Sequence, residues 1–148
     1  MADPARLAYF DTSALVKRYV VEAGSVAVRR LLRTHRVLSS VLIRLEVVSA
    51  VRRRHAEGRL TEMQQRRLLR RIEADHASWE LVPVVDEVVE GARGLLVAHR
   101  LRTLDAIHLA SASVVVAEGL HLPFVTADRR QAEAGRVTGL EVIEIESA

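Results

Sequence analysis

Cysteine is absent from the 148 residues, which removes disulfides, thiolate zinc sites and cysteine nucleophiles together. Aromatic residues make up only 3%, so recognition by stacking on rings would have few platforms. There are three prolines, and no Pro/Gly/Ser-rich linker, repeat or low-complexity tract divides the chain. No apolar run approaches the ~18 residues of a membrane span. The first six residues lack the basic-then-apolar pattern of a secretory leader, so a cytoplasmic location away from membranes is expected. Neither sign of charge dominates: 22 basic residues face 19 acidic ones, for a formal net charge of +3.

What is present is a core and many arginines. The 49% hydrophobic content, rich in Val, Leu and Ala, is enough to fill one domain over residues 1–148 and excludes general disorder. Lys17 is the only lysine; the other 21 basic residues are arginine. Arginine grips phosphate through two parallel hydrogen bonds and stacks on bases, which permits nucleic-acid binding without establishing it. A composition bias of the source would produce the same count.

Short apolar runs alternate with longer helical patterns. Strands are expected at Leu7–Phe10, Val37–Ser39, Leu81–Val85, Phe124–Thr126 and Leu140–Ile145, the third short or at an edge because of Pro83. Helices are expected over Ser13–Val20, Ser25–Arg33, Val41–Glu57, Asp86–His99 and Leu104–Glu118. A further helix opens at Thr61, where Thr61 and Gln64 have the form of a capping box, and runs towards Trp79. Nearly continuous apolar strands joined by helices indicate an α/β fold with a parallel sheet covered on both faces. Such sheets bind ligands at the carboxyl ends of their strands.

Two strands end in aspartate, at Asp11 and at Asp128, with hydroxyls nearby at Thr12, Ser13 and Thr126. Each aspartate could simply cap the helix that follows. Glu46 is read as mid-helix on a stripe of apolar and small residues, Leu42, Ile43, Ser49 and Ala50. A carboxylate there requires compensation, because burying it unpaired costs several kcal/mol. Asp105, following a cap at Thr103, shares a helix face with His108, Leu109 and Ala112; the helix dipole alone would account for it. Convergence of all four acids around a divalent cation is the economical account. Oxygen-only ligands favour Mg²⁺ or Mn²⁺, which suits phosphoryl transfer to water.

The segments YFDTSALVKRYV, SSVLIRLEVVSAV, LRTLDAIHLASA and FVTADRRQ resemble, in order and spacing, the motifs of PIN-domain ribonucleases. More narrowly they resemble the VapC toxins of toxin–antitoxin pairs. The resemblance implies a three-layer α/β/α sandwich with a mainly parallel sheet of about five strands. It further implies Mg²⁺-dependent cleavage of RNA, with Mn²⁺ able to substitute, homodimers, and neutralisation by a small VapB-like antitoxin. Position by position, the family's acidic residues fall on Asp11, Glu46, Asp105 and Asp128, and an assisting hydroxyl falls on Thr126.

Other readings make different demands. A haloacid-dehalogenase-like phosphatase wants a second aspartate two residues after the first, where Ser13 stands. A housekeeping PIN nuclease would carry the same acids, and a non-catalytic RNA-binding or antitoxin-binding module would not need them. Of the six histidines only His108 falls near the proposed site, in a packing or hydrogen-bonding role. The runs Arg52–Arg54, Arg66–Arg67 and Arg70–Arg71 fit solvated helix faces paired with Glu57, Glu62 and Glu73. Arg129 and Arg130, directly after Asp128, are the better candidates for RNA contact. Trp79 is expected in the core or an interface.

Overall fold

A computed structural model describes residues 6–147; all but the last of the six residues read for a leader pattern lie outside this range. Five strands, β1 (Arg6–Phe10), β2 (His35–Ser40), β3 (Glu80–Val82), β4 (Phe124–Thr126) and β5 (Val142–Glu144), form one sheet in the order β3-β2-β1-β4-β5. All four pairings are parallel. β3, the strand ended by Pro83, pairs only with β2 and lies at an edge.

Side chains alternate across the pleat and sort into two cores. Ala8, Phe10, Val37 and Val125 point to one face, packing on α1 (Thr12–Leu15), α2 (Ser25–Leu31), α3 (Ile43–Ala56) and α4 (Glu62–Asp75). Tyr9, Leu38 and Phe124 point to the other, against α6 (Thr103–Ala117) and α7 (Arg129–Val137). There α5 (Asp86–Ala98) lies on α6 through Val88, Ala92, Ala106 and Ala110. The fold is a three-layer α/β/α sandwich. Trp79 is a core residue.

Local chemistry sets several boundaries. Thr61 and Gln64 form the reciprocal capping box at the start of α4. Gly58 ends the preceding helix with a φ of 76°, where the Arg59 amide donates back to Arg54. Lys17, the sole lysine, is buried and donates to the Ala23 carbonyl (2.7 Å) and to Glu22 (3.2 Å), so its charge serves the fold.

Three expectations change. The helix expected at Ser13–Val20 is a short α1 followed by a 3₁₀ turn over Val16–Arg18, in which Val16 O accepts from both Tyr19 and Val20. α4 stops at Asp75 and a 3₁₀ turn leads to Trp79. The sequence pattern gives no bounds to a helix between the last two strands, where Asp128 is read as a possible cap, and α7 fills that stretch. Its buried face is Gln131, Ala132, Ala134 and Gly135, small or polar residues opposite a charged face, so the helix carries few large apolar side chains. Among the described residues no helix is long and apolar enough to cross a membrane.

Candidate active site

From β1 the chain steps outward to β2 and β3, then returns to add β4 on the other side of β1. The crevice at the carboxyl ends of β1 and β4 is therefore the switch point of the sheet, where open α/β folds bind ligands. Asp11 follows β1 directly, and Asp128 comes two residues after β4.

Asp11 is 2% exposed and caps α1. Its carboxylate accepts from the Ser13 hydroxyl (2.8 Å), the Ala14 amide (3.1 Å) and the Thr126 hydroxyl (3.0 Å). Burial nevertheless dominates and pushes the carboxyl up to about 6, against the lowering effect of His108 and these hydrogen bonds. Ser13 also accepts from the Ala127 amide (2.9 Å), and Thr126 from the Asp128 amide (3.0 Å), so both hydroxyls lock the end of β4 to the end of β1. Asp128 caps α7 by accepting from the Gln131 amide (3.0 Å). For Asp11 and Asp128, capping and a place at the crevice coexist.

Glu46 is not mid-helix. α3 begins at Ile43, which puts Glu46 in the first turn, where the dipole favours negative charge. Its side chain retains 17% exposure, and the compensation it requires is His108, whose Nε2 lies 2.7 Å from Oε1. A carboxylate only accepts, so Nε2–H donates. The other ring nitrogen lies 2.8 Å from the Tyr9 hydroxyl, and Thr12 Oγ1 lies 3.4 Å from Nε2. Burial drives the Tyr9 phenol far above its usual range, so it remains a neutral hydroxyl.

Asp105 is half-buried in the first turn of α6. The residue before that helix is Arg102, which makes no side-chain cap; Thr103 is the first helical residue and not the cap. Burial raises the Asp105 carboxyl, and the charges of Asp128 and Glu46 raise it further, against Arg102 and His108. The acids of β4, α3 and α6 thus share one electrostatic environment.

Sequence reasoning missed Gln131. Fully buried, it has its Oε1 3.1 Å from the Thr126 hydroxyl, whose one proton it shares with Asp11, and it donates to the Asp105 carbonyl (3.2 Å), tying α7, β4 and α6 together. Its only signal was a position three residues after an aspartate cap. Arg129 and Arg130 are exposed at the start of α7, and Arg129 donates to Glu133 (3.1 Å). The other arginine runs behave as surface: Arg66 pairs with Glu62 (2.9 Å), and Arg52, Arg53, Arg67, Arg70 and Arg71 are exposed. Arg54 differs, half-buried against Glu22 at 3.0 Å.

The donor set is all carboxylate near the crevice, which suits a hard divalent ion. Asp105 and Asp128 have no ion-pair partner among the described residues; Arg102 and His108 lower the Asp105 carboxyl without pairing with it, so a cation there would add to that compensation. As they stand, no three His, Asp or Glu side chains among the described residues are grouped tightly enough to hold an ion. Asp11 is committed to its hydroxyl donors and Glu46 to His108.

The PIN domain family matches residues 8–137. The chain is 40% identical over 137 residues to ribonuclease VapC46 of Mycobacterium tuberculosis, covering 91% of this chain and 95% of that protein. It is 35% identical to ribonuclease VapC45 of the same species, covering 92% and 94%. Among solved structures, FitAcB from Neisseria gonorrhoeae superposes with a TM-score of 0.69 at 15% identity, over 93% of this chain and 97% of that one. VapBC2 from Rickettsia felis, bound to a DNA fragment of its promoter, gives 0.63 at 11% identity, over 95% and 99%. With its fold, its ordered motifs and relatives matched along nearly their whole length, the chain belongs to the PIN-domain family, in the group of the VapC proteins.

Proposed function

We propose that the protein is an endoribonuclease toxin of the VapC type. It hydrolyses RNA phosphodiester bonds with a divalent metal, Mg²⁺ or in its place Mn²⁺, and a cognate VapB-like antitoxin neutralises it. The observation that carries this reading is the place of Asp11 and Asp128 at the switch-point crevice together with an Asp105 carboxyl that burial and the charges of Asp128 and Glu46 raise, against Arg102 and His108. Relatives named ribonuclease at 35–40% identity support the same chemistry.

Asp11 and Asp105 are the first choice to hold the ion directly, with Asp128 and Glu46 completing the site directly or through water. Bound there, the ion would acidify water and offset negative charge developing on the phosphate. Thr126 and Ser13 hold the Asp11 carboxylate, and His108 holds that of Glu46. One carboxylate of the group takes the proton of the attacking water as its oxygen bonds to phosphorus. The P–O3′ bond breaks, the 3′ oxygen takes up a proton, and a 5′-phosphate and a 3′-hydroxyl result. Arg129 and Arg130 contribute to holding the RNA backbone. The chain acts as a single PIN domain in the cytoplasm and as a homodimer.

The test is cleavage of RNA by purified protein with Mg²⁺, with excess EDTA, and with the product of a small reading frame where one adjoins this gene. Cleavage that needs Mg²⁺ and stops when that partner is added is the expected result. Undiminished cleavage in EDTA overturns the metal mechanism. A housekeeping nuclease would cleave with no inhibiting neighbour, and a binding module would not cleave.

A further inference from the structure

Beside the acidic residues lies a cleft of about 370 Å³. Arg100 and Arg102, on the link between α5 and α6, line it together with Arg129 and Arg130 of α7, and Asp105 and Asp128 line it as well. All four arginines are exposed. The charges are kept apart: Arg102 is near enough to lower the Asp105 carboxyl, yet no ion pair joins any of these arginines to Asp105 or Asp128. Only Arg129 is committed, to Glu133. Were the arginines there to neutralise the acids, they would pair with them. Kept separate, the carboxylates remain available for a cation and the guanidinium groups for an anion.

We propose that this cleft is a subsite for the sugar–phosphate backbone of single-stranded RNA, which Arg100 and Arg102 line together with Arg129 and Arg130. The inference rests on the ribonuclease reading above and adds the side from which the strand reaches the acids. The volume, at the small end of ligand clefts, suits a nucleotide unit of one strand rather than a double helix. Four positive charges against two negative ones favour a phosphate, which arginine binds with paired hydrogen bonds. All five aromatic side chains, Tyr9, Phe10, Tyr19, Trp79 and Phe124, are buried, so base stacking falls to the planar guanidinium groups. A separate groove between α3 and α4, lined mainly by apolar side chains such as Leu42, Leu45, Val48 and Leu69, has Arg44 as its one arginine and offers less to a phosphate chain.

The experiment is a fluorescence-anisotropy titration of a short labelled single-stranded oligoribonucleotide, in EDTA at several salt concentrations, alongside a cleavage assay of the wild type in Mg²⁺. Arg100→Ala with Arg102→Ala is compared with Arg29→Ala with Arg30→Ala, an exposed pair on α2. Arg100→Gln with Arg102→Gln guards against an effect of shortened side chains. The first and third proteins should bind several-fold more weakly, with a log–log salt slope flatter by about 0.7 per lost phosphate contact. The α2 pair should match wild type. If wild type binds and cleaves RNA and both loop variants keep its slope, the subsite is overturned and the ribonuclease reading stands. An equal loss in all three variants overturns it likewise, as diffuse charge. A wild type that neither binds nor cleaves RNA overturns the underlying reading.

Discussion

His108 on α6 donates to Glu46 on α3 across 2.7 Å, joining two residues 62 positions apart from opposite faces of the sheet. With the Tyr9 hydroxyl on its other nitrogen, the imidazole ties together the three elements that carry Asp11, Glu46 and Asp105. His108→Leu removes a buried bond to a charged group and strands the Tyr9 hydroxyl, at a cost of about 2–4 kcal/mol. His108→Gln, which retains a donor, should lose less. Urea unfolding of the two variants measures both, and equal losses would show that packing alone matters there.

The Asp11 carboxyl sets a stability change with pH whose sign is fixed. Its ordinary value is 3.8 and its folded value about 6, so between them the native state holds a proton that the unfolded chain has released. Its contribution is fully present below pH ~4 and is lost as pH rises through ~6. Asp11→Asn cannot ionise, so in metal-free buffer it should gain on wild type across that window. The gain is on the order of 3 kcal/mol at most. Unfolding midpoints of both proteins at pH 4.5 and 7.5 decide it; a constant difference contradicts the prediction.

Asp105→Asn should abolish cleavage while leaving the metal-free fold as stable as wild type or slightly more so, because burial and the charges of Asp128 and Glu46 oppose its ionisation. Mg²⁺ should raise the melting temperature of wild type and raise that of the variant less. If Asp105 only served the dipole of α6, the variant would lose about 0.3–1 kcal/mol and respond to metal as wild type does. Thermal melts in EDTA and in Mg²⁺ separate the two.

Two glycines should respond to alanine with opposite signs. Gly24 has a φ of 87°, and a Cβ there would meet Ile145 Cγ2 and the Glu146 carbonyl, each at 2.5 Å. Gly24→Ala should cost about 3 kcal/mol, from left-handed strain and overpacking together. Gly94, inside α5, has open space where a Cβ would stand, and Gly94→Ala should stabilise by about 0.5–1 kcal/mol. Calorimetric melting temperatures check both.

Where a feature depends on neighbours in the chain, residue order was enough to read it. The apolar runs that became the strands, the Thr61–Gln64 capping box, and the acids placed just after β1 and β4 all rest on interactions spanning a few residues. Tertiary structure decided the rest. Glu46 read as an unsupported mid-helix charge because its helix starts two residues later than expected and its partner lies on α6. α7 was less legible because the face it lays on the apolar core is built of small residues, Ala132, Ala134 and Gly135, with Gln131 beside them reaching a carbonyl on α6. The strand order that makes the β1–β4 crevice a switch point depends on how the helices cover the two faces. Hydrophobic pattern reports whether a residue is buried; only the packed chain settles which polar groups, far apart in sequence, satisfy one another once they leave water.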